Sequence, residues 1–192
     1  SFLGLVFGLI LFGLGEALLV AAEIGVSPWT VLAEGVAKTA GLSLGITTFL
    51  ISLSVLILWV PLRQTPGLGT LLNALIVAFM LDFSLPYLPR SEDLLPQVFL
   101  ALLGVFTTGL GGAIYLIANL GPGPRDGLMT GLQALSGRPL ALVRSALEMT
   151  VVLAGFALGG TLGLGTLFFA FGIGPAIAFC LSVLSHLFRQ RK

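Results

Sequence analysis

Three runs of this chain, LGLVFGLILFGLGEALLVAAEIG, LGITTFLISLSVLILWVPL and PQVFLALLGVFTTGLGGAIYLIANL, reach the roughly 20 apolar residues that a helix needs to cross about 30 Å of hydrocarbon. A segment in lipid must satisfy its backbone polar groups internally, which leaves helices and closed barrels. Barrel strands would alternate in polarity over about ten residues, and these runs do not. The fold class that follows is all-α: a polytopic membrane protein. Composition agrees, with 57% hydrophobic and 9% charged residues, where soluble domains carry about a quarter charged. The first run is longer than a signal-peptide core and has neither a basic leader nor a small-residue cleavage site, so it is expected to stay in the mature protein.

The same inventory narrows the function. A net charge of +1 without a basic cluster gives no footprint for nucleic acid. The single cysteine, Cys180, forms no disulfide within the chain and no thiolate cluster, and one histidine, His186, cannot build a histidine metal site. No serine, histidine and carboxylate constellation is readable. The expectation is therefore no enzyme, no catalytic residue, no metal and no cofactor.

A shift of 96 residues lays one half of the chain over the other without a gap. GLGEALLVAAEIGVSPW from Gly13 falls on GLGGAIYLIANLGPGPR from Gly109, and TPGLGTLLNA from Thr65 falls on TLGLGTLFFA from Thr161. Gly25 meets Gly121, Pro28 meets Pro124, Gly35 meets Gly131 and Gly41 meets Gly137. Glycines and prolines kept in register across loops mark a duplication rather than chance likeness between leucine-rich helices.

The duplication divides a single membrane domain into repeats at 1–90 and 97–192. Spans are expected at about 3–24, 43–62 and 69–88, then 97–119, 139–158 and 165–187, with short helices at 28–39 and 124–135. Each short helix opens on a proline and is followed closely by a glycine. Twelve residues rise only about 18 Å, so these segments read as re-entrant or interfacial. About six transmembrane helices result, three per half, and an odd number turns the second half over, giving an inverted-topology tandem repeat. With both termini in the cytoplasm, Arg63, Arg125, Arg138, Arg189, Arg191 and Lys192 fall inside and Lys38 and Arg90 outside, as the positive-inside rule prefers. An eight-span arrangement distributes these charges less well.

Charges within spans cost about 2.5–3.5 kcal/mol each near the helix centre, so they carry information. Arg144 and Glu148 lie four apart on one helix face, either as a self-neutralising pair or as the lining of a hydrated cavity. Their repeat mates are the uncharged Thr48 and Ser52. Glu16 falls where the second half has Gly112. Asp82 reads as interfacial, and Glu34 with Lys38 as an exposed pair on the short helix. In GPGPRDG, Arg125 and Asp126 occupy the first turn of the second short helix, whose free N–H groups suit an anion. The first half has Trp29, read as an interfacial aromatic, at the position of Arg125. The candidate substrate-binding set is Arg125, Asp126, Arg144, Glu148 and Glu16.

The stretches GLGEALLVAAEIGVSPWTVLAEGVA, PLRQTPGLGTLLNALIVAFMLD and LGPGPRDGLMTGL, followed by GRPLALVRSALEMTVVLAGFALGGTLGLGT, resemble the bacterial YczE-like membrane proteins, related to the YitT group. The resemblance runs over nearly the whole chain and implies a multi-pass protein of the bacterial inner membrane. It carries over no substrate and no catalytic residue. The expected function is a small transporter or facilitator for an anionic or zwitterionic solute, working as a homodimer in the lipid bilayer. A substrate-capture subunit and a non-transporting scaffold are the alternatives.

Overall fold

The structure, a computed structural model, describes residues 1–189; Arg191 and Lys192, expected on the cytoplasmic side, lie outside the described residues. Eight helices follow in order: α1 Phe2–Ala22, α2 Pro28–Ala40, α3 Leu44–Trp59, α4 Leu68–Ser84, α5 Leu94–Ala118, α6 Pro124–Ser136, α7 Leu140–Ala157 and α8 Leu164–Arg189. A single 3-10 turn, Leu85–Tyr87, extends α4. The second to fourth helices of the two halves begin 96 residues apart at Pro28 and Pro124, Leu44 and Leu140, and Leu68 and Leu164.

The chain is all-helical among the described residues, and α1, α4 with its 3-10 turn, α5, α7 and α8 are long and apolar enough to cross a membrane. A sixth span arises if α2 and α3, bent by 114° across the short break between them, count as one broken crossing. The sequence leads one to expect α3 to run to residue 62, yet the helix ends at Trp59. Val60 to Arg63 forms a tight turn in which the Arg63 N–H donates to the Val60 carbonyl at 3.1 Å and Arg63 takes a φ of 53°. The short helices start where the sequence places them, each with proline in its first turn and a left-handed glycine, Gly41 or Gly137, at its end.

Packing follows an exchange rule between the halves. The longest seam joins α1 to its own mate α5. A Cβ on Gly8 would lie 2.9 Å from the Gly111 carbonyl oxygen, and one on Gly104 2.9 Å from that of Gly15. Gly8 and Gly104 are repeat mates, as are Gly15 and Gly111, so the seam is built from the same contact used twice. Small residues let helix backbones approach where lipid offers no hydrophobic driving force. Two further kinds of contact occur in both halves: α1 packs on α4 as α5 packs on α8, and α2 on α7 as α6 on α3.

The joints obey the same rule. The Gly69 N–H donates to the Leu120 carbonyl at 2.7 Å, and its mate Gly165 donates to the Ile24 carbonyl, the mate of Leu120, at 2.8 Å. Each half therefore seats the start of its last helix on the loop before the other half's short helix. Gly25 and Gly121 turn those loops with φ of 112° and 121°, values that a side chain rarely tolerates.

Two polar features have partners that their neighbours in sequence do not show. Asp82, near the end of α4, accepts from the Gly45 N–H at 2.7 Å and the Ser43 hydroxyl at 2.5 Å, tying α4 to the free N-terminus of α3. The mates of Ser43, Gly45 and Asp82 are Pro139, Ala141 and Ala178, so the second half has no such clasp, and α7 does not pack closely on α8. Glu34 and Lys38 do not pair with each other. Both reach the turn between α7 and α8, where Lys38 donates to the Gly159 carbonyl at 2.6 Å and Glu34 accepts from the Thr161 N–H at 2.8 Å.

Candidate functional site

A cavity of about 280 Å³ lies between the halves. Its wall contains five pairs of repeat mates: Trp29 with Arg125, Thr48 with Arg144, Ser52 with Glu148, Asn73 with Phe169, and Val77 with Ile173. A cavity lined by both members of so many pairs sits where the exchange of halves leaves it in place. In four of the five pairs the members differ in chemistry, so a symmetric frame encloses an asymmetric interior.

Four of the five candidate residues, Arg125, Asp126, Arg144 and Glu148, line this cavity. Arg125 stands in the first turn of α6, positioned by Pro124 at the helix start. Its guanidinium carbon lies 5.5 Å from the centre of the Trp29 ring, within the range of a cation–π contact. Trp29 is correspondingly buried in the cavity wall, 5% exposed, and is not the interfacial aromatic that its flanking position suggests. No carboxylate among the described residues comes within 4.0 Å of the Arg125 guanidinium. Asp126, next to it, accepts from the Tyr115 hydroxyl at 2.8 Å.

Arg144 and Glu148 meet as their spacing on α7 dictates, Nε to Oε1 at 2.8 Å. The pair of the sequence reading forms, and both of its members line the cavity. The protein itself leaves 45% of the Arg144 side chain uncovered. Such a pair is net neutral, which lowers the cost of inserting α7, and it still presents a cation and a carboxylate to the cavity.

Glu16 is placed differently from the other four. It is fully buried on α1, one layer behind the wall, and its Oε2 accepts from the Ser27 and Thr30 hydroxyls, each at 2.7 Å. Ser27 caps α2 and Thr30 lies in its first turn, with Trp29 between them facing the cavity.

Several wall residues were not singled out as site residues from the sequence, and three carry polar groups of note. Tyr115 and Asn73 are polar groups inside spans, a signal open to reading but weaker than a charge. The third is Trp29, whose Nε1–H is buried without a hydrogen-bond partner, as is Thr48 Oγ1. Mapping each candidate charge onto its repeat mate finds Trp29, Thr48 and Ser52 at once.

These features define a polytopic α-helical membrane protein with a largely apolar cavity, set with a few charged side chains, at the junction of two sequence repeats. The chain belongs to the family described as "Family of unknown function (DUF6198)", which matches residues 1–182. It is 41% identical over 183 residues to an uncharacterised protein of Haemophilus influenzae, covering 95% of this chain and 84% of that one. It is 31% identical over 177 residues to the uncharacterised membrane protein YczE of Bacillus subtilis, covering 91% of this chain and 82% of the relative. A further relative, the uncharacterised protein YyaS of Bacillus subtilis, is 30% identical over 164 residues, 83% of this chain and 82% of that one. The resemblance to YczE-like proteins read from the sequence is thereby shown. No solved structure gives a significant match.

Proposed function

We propose that the protein is a small transporter or facilitator for an anionic or zwitterionic solute, with the cavity between the halves as its solute site. One observation carries this reading. The Arg125 guanidinium, the Trp29 Nε1–H and Thr48 Oγ1 share the cavity wall; the indole and the hydroxyl are buried without a hydrogen-bonding partner, and no carboxylate among the described residues lies within 4.0 Å of the guanidinium. Buried donors are nearly always satisfied. A guanidinium and an indole N–H can only donate, so what satisfies them is an acceptor, and a carboxylate or another oxyanion is the strongest kind. The Arg144–Glu148 pair adds a carboxylate to the same cavity, which suits the ammonium of a zwitterion. A volume of about 280 Å³ is near the lower end of the roughly 300–1,000 Å³ typical of ligand pockets, so the solute is small.

The exchange of contacts between halves supports an inverted arrangement; the same proposal places both termini on the cytoplasmic side of a bacterial inner membrane, on the distribution of Lys and Arg, and takes a homodimer as the working form. Solute sites of inverted-repeat transporters lie near the bilayer midplane at the repeat interface, beside broken helices. The N-terminus of α6, with Arg125 in its first turn, forms part of the cavity wall. The test is an uptake screen in proteoliposomes over organic and inorganic anions. Accumulation of a small anion that is lost in Arg125→Ala is expected. If every anion is ignored and Arg144→Ala alters no ligand-induced thermal shift, the reading fails.

A further inference from the structure

We propose that the solute is an amphiphilic anion, whose oxyanion head sits in the cavity while its apolar tail leaves sideways between α7 and α8; this rests on the cavity being the solute site. The two halves are closed unequally. In the first half α3 packs on α4. Gly45 allows that approach, since a Cβ there would run into the Ala78 carbonyl, and Asp82 clasps the start of α3. The mates of Gly45 and Asp82 are Ala141 and Ala178, and among the described residues α7 and α8 do not pack closely on one another. α7 leans instead on α2 and α6, and α8 on α5, which leaves one side of the cavity unsealed.

The cavity wall carries the mark of that gap. Thr48 and Ser52 on α3 are buried, 3% and 8% exposed, whereas the side chains of their mates on α7, Arg144 and Glu148, are 45% and 20% exposed. On the α8 flank the wall is Phe169, Ile173 and Ile177. A molecule reaching from Arg125 towards the gap therefore passes an ion pair on one side and three apolar side chains on the other. Beyond it lies hydrocarbon, to which α7 and α8 expose Met149, Leu153, Phe171 and Phe179.

Complementarity selects the occupant. At the inner end stand the unpartnered Trp29 N–H and a guanidinium with no carboxylate within 4.0 Å among the described residues. A wholly apolar molecule leaves those donors unsatisfied, and a wholly polar anion leaves the apolar flank against water. An amphiphile meets both ends. The volume of about 280 Å³ limits the head and the first part of the tail, while the gap leaves the length of the tail free.

α8 is also built to bend beside the gap. It holds Pro175 within the helix, and Gly172 and Gly174 flank the wall residue Ile173, where the first half has Ile76, Ala78 and Phe79. A proline inside a helix removes one backbone hydrogen bond and marks a point of bending.

The test has two arms, both on protein in lipid nanodiscs. In the first, binding of acetate, hexanoate and dodecanoate is compared, with affinities referred to the free aqueous concentration and dodecanol as a control for the tail alone. Saturable affinity is expected to rise by about fourfold for each methylene that leaves water, to collapse in Arg125→Ala, and to be untouched by dodecanol. Equal affinity for acetate and dodecanoate overturns the proposal and leaves the anion site standing. No saturable binding of any of the three overturns the anion site and the proposal with it.

The second arm locates the tail. Dodecanoate carrying a diazirine at its far end is photolysed on wild type and on Arg125→Ala. Labelling of α7 and α8 that unlabelled dodecanoate competes away, and that is missing from the variant, is expected. Labelling that is unchanged in the variant, or confined to other helices, overturns the proposal. Transplanting the clasp of the first half, with Pro139→Ser, Ala141→Gly and Ala178→Asp, is expected to abolish this labelling while acetate still binds. Should that variant fail to fold, Ile177→Trp narrows the gap from the α8 side with the same expected result. Undiminished labelling in the variant that folds overturns the proposal, as does cross-linking that shows a second copy of the chain seated over the gap with no labelling beneath it.

Discussion

Trp29 and Arg125 hold equivalent positions in the two halves of the chain, and they meet: the guanidinium carbon of one lies 5.5 Å from the ring centre of the other. Each is near the start of a short helix, one residue after the initiating proline. A duplicated joint has thus been given an aromatic face on one side and a cation on the other. The indole steadies the arginine through its π face, and its N–H adds a second donor to the same wall.

Replacing Arg125 tests that arrangement. Arg125→Ala is expected to weaken anion binding roughly ten- to hundredfold, the loss of a charged hydrogen-bond donor worth about 1.5–3 kcal/mol. Arg125→Lys is expected to recover only part, because a lysine keeps the charge but loses the planar fork that stacks on Trp29. Ligand-induced thermal shift on purified protein reads both.

The Arg144–Glu148 pair should behave as a coupled unit. Arg144→Ala strands the Glu148 carboxylate in a cavity wall, while Arg144→Ala with Glu148→Gln removes both charges. The double variant is expected to be more stable than the arginine variant alone, and a double-mutant cycle should return a coupling of about 0.5–3 kcal/mol. Additive changes would mean that the 2.8 Å contact does little.

Asp82 is expected to matter for stability rather than for binding. Its carboxylate holds both the Ser43 hydroxyl and the Gly45 N–H at the start of α3. Asp82→Ala should cost about 1–3 kcal/mol and Asp82→Asn less, since the amide oxygen still accepts one of the two bonds. Thermal unfolding in detergent gives the order, and anion affinity of the folded fraction should stay at the wild-type value.

Glycine contacts offer a paired control. A Cβ on Gly127 would fall 2.0 Å from the Trp59 ring, whose Nε1–H donates to the Pro124 carbonyl at 3.0 Å and so fixes the joint that carries Arg125. Gly127→Ala is expected to destabilise by about 1–3 kcal/mol through overpacking and to blunt anion binding as well. At Gly174 nothing beyond its chain neighbours lies within 4 Å, while Pro175 follows and disfavours a Cβ in the helical region, so Gly174→Ala should change stability by less than about 1 kcal/mol.

Much of the frame was legible before any coordinates, because it rests on signals that survive in one dimension. Long apolar runs place the spans, and prolines and glycines kept 96 residues apart place both short helices to within a residue or two. The i,i+4 spacing of Arg144 and Glu148 placed them on one face, where they pair. What could not be read was which side chains meet across the halves. Nothing near Asp82 in sequence needs a carboxylate; its partner is a helix end 37 residues away. Glu34 and Lys38 looked like each other's partners until the turn after α7, more than 100 residues on, was seen beside them. Trp29 was misjudged for a related reason, since an aromatic at a helix start suits a membrane interface as well as a cavity.

The central claim, that the cavity between the halves holds a small anion on Arg125, is tested most directly by an anomalous difference map from crystals grown with a brominated carboxylate. A peak in the cavity within reach of the Arg125 guanidinium and the Trp29 indole, absent from crystals of Arg125→Ala, is the result this account predicts. An empty cavity at saturating anion, or a peak that persists unchanged without the arginine, would contradict it.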